Sequence, residues 1–158
     1  VPTPVSTPKV KKTETLTSGT SWTVPAGVTS VVATLVGGGG GGGGQNTTDG
    51  GAGGDTTFTG ATTASGGFGG YRYSNVFGNG GKTLLNYGES ATGGIHASYG
   101  GNRIFTMKGG AGRRITTTLS TTPAASISYS IGAGGTAGTG DRIAGAGGSG
   151  FIILEYWV

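Results

Sequence analysis

The chain has 158 residues; 39 are glycine, 10% are charged, and the formal net charge is +4. One glycine in four excludes an ordinary helical enzyme, because glycine costs roughly 1 kcal/mol per helical position relative to alanine. The modest net charge argues against disorder of the charged kind. The glycines follow no strict three-residue period and have one proline among them, so the chain is not collagen.

Without cysteine there is no disulfide frame and no thiolate metal site. No apolar run approaches the ~18 residues of a membrane span, and no signal peptide is visible. The chain opens on Val1, so upstream sequence is expected. Residues 1–12, VPTPVSTPKVKK, read as an extended, proline-bearing linker that attaches a single domain at 13–158 to something larger. Lys9, Lys11 and Lys12 fall in that tail, so the positive charge is not one nucleic-acid footprint.

Residues 13–36 change character. TETLTSGTSWTV alternates and is rich in β-formers, Pro25-Ala26-Gly27 signals a turn, and VTSVVATLV has strand length. Two strands or three are expected here, with a turn at Ser18-Gly19. Gly37–Gly44 opens a series of glycine clusters separated by short aromatic and polar segments. Strand signals return in RRITTTLS (113–120) and SISYSIGAG, which read as a hairpin across TTPAA, with Ile127, Tyr129 and Ile131 on one face. GFIILEYWV closes the chain as a last strand. These strands, at 13–36, 113–131 and 151–158, are expected to form one β base. Leu35, Ile127, Tyr129, Ile152 and Leu154 are its candidate core, and Trp22 and Trp157 belong to that core or to a subunit contact.

The glycine clusters, within 37–112 and 132–150, are either floppy linkers or ordered polyproline-II helices of glycine. Such helices have three residues per turn and no internal hydrogen bonds, so their amides must be satisfied by neighbours. An internal repeat favours order. GAGG-DTTFTGATTAS-GG (51–67) and GNGG-KTLLNYGESAT-GG (78–94) share one frame, with Asp55 aligned to Lys82 and Phe58 to Leu85. The fold expected is all-β plus polyglycine-II: a small β-sandwich-like base carrying a bundle of glycine helices, with essentially no α-helix.

SWTVPAGVTSVVATLVGGGGGGGG, TLSTTPAASISYSIGAGGTAG and AGAGGSGFIILEYWV together resemble the glycine-rich domain of bacteriophage tail-fibre adhesins and related tail proteins, in the same order and over about 13–158. The resemblance implies a polyglycine-II sandwich on a β base, with loops at its free end that contact a bacterial surface receptor, an outer-membrane protein or a polysaccharide. It further implies a virion location at the fibre tip, several copies acting together, and fibre partners met through 1–12 and the base. Nucleic acid, membrane insertion and cofactors are not expected.

Each glycine run should cross the bundle once. That parity puts 45–49, 71–77, 95–108 and 136–144 at the far end and the two repeat inserts, 55–65 and 82–92, at the base. The far-end segments contain Tyr71, Arg72, Tyr73, Asn75, Phe77, His96, Tyr99, Asn102, Arg103, Phe105, Lys108, Asp141 and Arg142. Aromatics mixed with Arg and Asn on loops over a rigid scaffold suit recognition, and these residues are the receptor-binding candidates. Phe68 reads as packing, and Arg113-Arg114 as a solvated face.

An enzyme is not expected. The six acidic residues are scattered, GGSG at 147–150 precedes a strand rather than a helix, and the polyglycine Gly37–Gly44 is followed by Gln45 rather than by Lys-Ser/Thr. No cluster has metal-ligand spacing. Two other readings compete with the adhesin: a purely structural fibre or cap module, and an ice-binding protein, for which Thr116-Thr117-Thr118 is the attraction.

Overall fold

A computed structural model describes residues 1, 7–44, 48–71, 109–139 and 144–158. Among them there is no helix. Seven strands form two antiparallel sheets: β1 (Lys11–Leu16), β2 (Ser21–Thr23), β3 (Ser30–Val36), β4 (Thr57–Phe58), β5 (Arg114–Ser120), β6 (Ser126–Ser130) and β7 (Phe151–Trp157). The first sheet has the order β1-β7-β3-β5 and the second β2-β6-β4.

Alternation decides which side chains turn inward. Val31, Ala33 and Leu35 of β3 and Ile152, Leu154 and Tyr156 of β7 are buried in one cluster with Trp22 of β2, Phe58 of β4 and Tyr129 of β6. Full burial of each Leu, Ile or Phe is worth about 1.5–3 kcal/mol. The Trp22 ring lies 6.3 Å from Phe58 and 5.6 Å from Tyr156, centroid to centroid, so aromatics bridge the two sheets. Ile127 is half-buried against this core.

The strands form two antiparallel sheets that share one core. Two sequence expectations change. Lys11 and Lys12, read as linker, begin β1, where Lys11 pairs with Trp157 and Lys12 with Tyr156. The segment 113–131 is not a hairpin: β5 pairs with β3, while β6 pairs with β2 and β4. The turn between β5 and β6 crosses from one sheet to the other, and so does the Pro25-Ala26-Gly27 turn between β2 and β3. The two corners hold each other. Ala124, at φ 65, donates its N–H to the Val24 carbonyl, Val24 donates to Ala125, and Thr121 donates to Thr29.

Gly37–Gly44 continues β3 directly, is buried throughout, and bonds outward in three directions in turn. Gly37 and Gly40 donate to the carbonyls of Arg113 and Gly110; Gly38, Gly41 and Gly44 to those of Gly54, Gly51 and Thr48; Gly39 and Gly42 to those of Gly148 and Gly145. Gly67 and Gly70 donate back to Gly38 and Gly41, and Gly135 and Gly138 to Gly39 and Gly42. The descending numbers make 48–54, 109–113 and 145–150 antiparallel to the central run; the ascending ones make 66–70 and 132–138 parallel to it. Glycine is required by closeness here. A Cβ on Gly40 would sit 2.0 Å from the Phe68 carbonyl oxygen, and one on Gly53 would sit 2.1 Å from that of Gly38.

Thr56 ties the runs to the sheets. Its buried hydroxyl donates to the Val36 carbonyl at 2.7 Å and accepts from the Gly132 N–H at 2.9 Å. The insert 55–65 returns to the sheets, with Thr57 and Phe58 pairing with Ser130 and Tyr129.

Candidate functional site

The runs leave the sheets at Gly37, Asp55, Arg113, Gly132 and Gly150, so their other ends gather away from the sheets. Gly44 donates to the Thr48 carbonyl at 3.0 Å, pairing the end of the central run with the start of the next. Thr48 in turn donates to the Thr139 carbonyl at 3.2 Å, and the two threonine hydroxyls lie 3.0 Å apart. Residues 136–139, expected in a far-end loop, therefore extend the run from Gly132. Thr48 and Asp49 likewise belong to the returning run. The described ends of the runs are positioned by backbone, because each run is held along its length by its neighbours.

Tyr71 is the one receptor-binding candidate among the described residues; it follows Gly70 and is 52% exposed. Arg72, Tyr73, Asn75, Phe77, His96, Tyr99, Asn102, Arg103, Phe105, Lys108, Asp141 and Arg142 lie outside the described residues, as does the second repeat insert 82–92. The described residues flanking 72–108 and 140–143 stand at the end of the runs away from the sheets, as the bonds of Gly70 to Gly41, Gly42 to Gly145 and Thr48 to Thr139 require.

Phe68 departs from its expected role. It is 60% exposed rather than packed across the runs. The cause is a period of three in exposure: Ser65, Phe68 and Tyr71 face outward, while Ala64, Gly67 and Gly70 are buried. The same holds next door, where Asp49, Ala52 and Asp55 are exposed, and in the run from Gly132, where Ala133, Thr136 and Thr139 are exposed. The large side chains of these runs stand at outward positions. The signal for Phe68 was present in the sequence as its spacing of three from Ser65 and Tyr71.

Polar chemistry elsewhere is structural. Glu14 of β1 accepts from the Trp22 indole N–H at 3.0 Å and from the Tyr156 hydroxyl, joining an edge strand to both sheets. The hydrogen bond to Glu14, then burial, then the carboxylate's charge push the Tyr156 hydroxyl up to about 12. Lys11 pairs with Glu155 at 2.5 Å and lies 5.8 Å from the Trp157 ring centroid. Trp157 is partly exposed, unlike the buried Trp22. Among the described residues, no three His, Asp or Glu side chains gather as metal ligands, and no helix is long and apolar enough to cross a membrane. The chain matches no protein-family model and no curated protein.

Proposed function

We propose that the glycine runs are polyproline-II helices packed as a polyglycine-II bundle on a β-sandwich-like base. On this reading the domain is the receptor-binding tip of a bacteriophage tail fibre. The three-way rotation of hydrogen bonds along Gly37–Gly44 supports the first part, since a helix with three residues per turn points successive amides in three directions. The observation that supports the second is that the described ends of the runs, Gly44, Thr48, Gly70, Thr139 and Gly145, lie together at the end away from the sheets. The resemblance of the opening, middle and closing motifs to phage tail-fibre adhesins supplies the biological setting.

Recognition is non-covalent. Tyr71, Tyr73, Tyr99 and Phe105 supply aromatic anchors, and Arg72, Arg103, Lys108 and Arg142 attract anionic groups of the cell surface. Several copies on one particle raise avidity without new contacts. Residues 1–12 and the base make the fibre attachment. Alanine at Tyr71, Tyr73, Tyr99 and Phe105 together is expected to abolish adsorption to host bacteria while particles still carry the fibre. Unchanged adsorption would leave the structural cap as the better reading.

A further inference from the structure

We propose that Phe68 and Tyr71 form a stacking ridge for an extended saccharide chain on the side of the glycine runs. The proposal deepens the receptor-binding reading by naming the ligand class, and it rests on that reading for the source of the saccharide.

Two aromatic side chains stand outward from one run, three residues apart, at 60% and 52% exposure. With a rise of about 3.1 Å per residue, their Cα atoms lie roughly 9 Å apart along the axis, close to the length of a disaccharide. The backbone holding them is fixed on three sides. Gly67 and Gly70 donate to the central run, Gly50 and Gly53 donate to Gly70 and Gly67, and Gly110 and Arg113 donate to Phe68 and Ser65. That register sets Phe68 between Ala52 on one neighbouring run and Gly110-Ala111 on the other. Ala52 and Ala111 are exposed but present only methyl groups, so neither flank offers a side chain large enough to cover the ring.

Polar groups complete the surface. Ser65 is exposed on the same ridge, and Asp49 and Asp55 are exposed on the adjacent one. The Asp55 carboxylate already accepts the Gly66 N–H through Oδ1 at 2.9 Å, which fixes it beside the ridge. A pyranose ring offers a flat C–H face to an aromatic and a rim of hydroxyls to carboxylates and serine. A protein partner would instead favour a desolvated pocket around its anchors, whereas the positions flanking Phe68 on the neighbouring runs carry only the methyl groups of Ala52 and Ala111. A saccharide chain lying along the axis fits the linear spacing.

The test uses the full chain on bacteria to which it adsorbs. Cells are left untreated, oxidised with periodate or treated with protease, and polysaccharide extracted from the same cells is titrated by calorimetry. Binding should survive protease, disappear after periodate, and appear with the extracted polysaccharide. Phe68→Ala should weaken polysaccharide binding about tenfold, and Phe68→Trp should restore it. Polysaccharide binding by Phe68→Ala equal to the parent's would overturn the ridge. So would cell binding that is lost to protease and kept after periodate, which points to a protein receptor. Adsorption that depends on Tyr73, Tyr99 and Phe105 but not on Phe68 overturns the ridge and leaves the receptor reading standing. If the protein adsorbs to no bacteria, that reading fails. Binding to printed bacterial polysaccharides then decides the ridge: dependence on Phe68 sustains it, and its absence overturns it.

Discussion

A methyl group at Gly53 would meet the Gly38 carbonyl oxygen at 2.1 Å, whereas its neighbour Ala52 already carries a methyl into solvent. Adjacent positions in one run thus have opposite tolerances. Gly53→Ala should destabilise the protein by about 1–3 kcal/mol or more, because the backbone must move apart. Ala52→Ser should stay within about 0.5 kcal/mol of the parent. Denaturant unfolding of the two variants checks this, and equal midpoints would count against close packing of the runs. Glu14 and Tyr156 make a second residue-scale prediction. The Tyr156 hydroxyl is raised from 10.0 to about 12 in the folded protein. Between those values the unfolded chain holds fewer protons than the folded one, so stability falls as pH rises through this window. Below the lower value the contribution is fully present. Tyr156→Phe should flatten the fall in melting temperature over that alkaline range, measured by thermal denaturation. A slope identical to the parent's would show that other groups govern it.

At the scale of elements, β7 lies between β1 and β3 in the four-stranded sheet and supplies Ile152, Leu154 and Tyr156 to the core. A chain ending at Gly150 should therefore fail to fold outright, as read by circular dichroism and solubility; a soluble, cooperatively melting product would refute that. The strands were largely legible, since alternation in SISYS and the β-branched run SVVATLV mark period and length. Their partners were not, because alternation says which face is apolar and nothing about which strand lies alongside. Hence 113–131 reads as a hairpin while its two strands join different sheets. The start of β1 was hidden for another reason: Lys11 and Lys12 look like tail residues, and only their pairing with β7 makes them strand. The glycine runs show a third limit. Asp49, Ala52 and Asp55, or Ser65, Phe68 and Tyr71, each keep a spacing of three, but no single period runs the whole length. A search for a global repeat passes over these short local ones.

For the whole molecule, the alternating directions of the runs matter more than any one contact. They return the chain to the sheets at Asp55, Arg113 and Gly150, and put the described run ends Gly44, Thr48, Gly70, Thr139 and Gly145 at the opposite end. Part of this candidate site was legible by counting crossings, because each glycine cluster can be assigned a direction without knowing its neighbours. The extent of each crossing was not, since Thr48 and Thr136–Thr139 continue the backbone pattern with side chains that look like loop. On the proposed receptor-binding reading, adsorption driven partly by Arg72, Arg103, Lys108 and Arg142 should slow as salt rises, while the strength of bound contacts changes less; association rates measured across ionic strength check this. The pairing of Val10 with Val158, and of β1 with β7 beyond it, also gives the domain a mechanical character. β1 enters from the end opposite the loops and runs toward them alongside β7. A pull between residue 7 and the far ends of the runs acts along the strands, so it loads the whole β1–β7 ladder in shear rather than opening it bond by bond. Glu14, gripping Trp22 and Tyr156 across that ladder, acts as a cross-bolt. A domain loaded this way resists tension along its axis and yields to a sideways peel of β1, an anisotropy that the proposed fibre-tip role would use under drag.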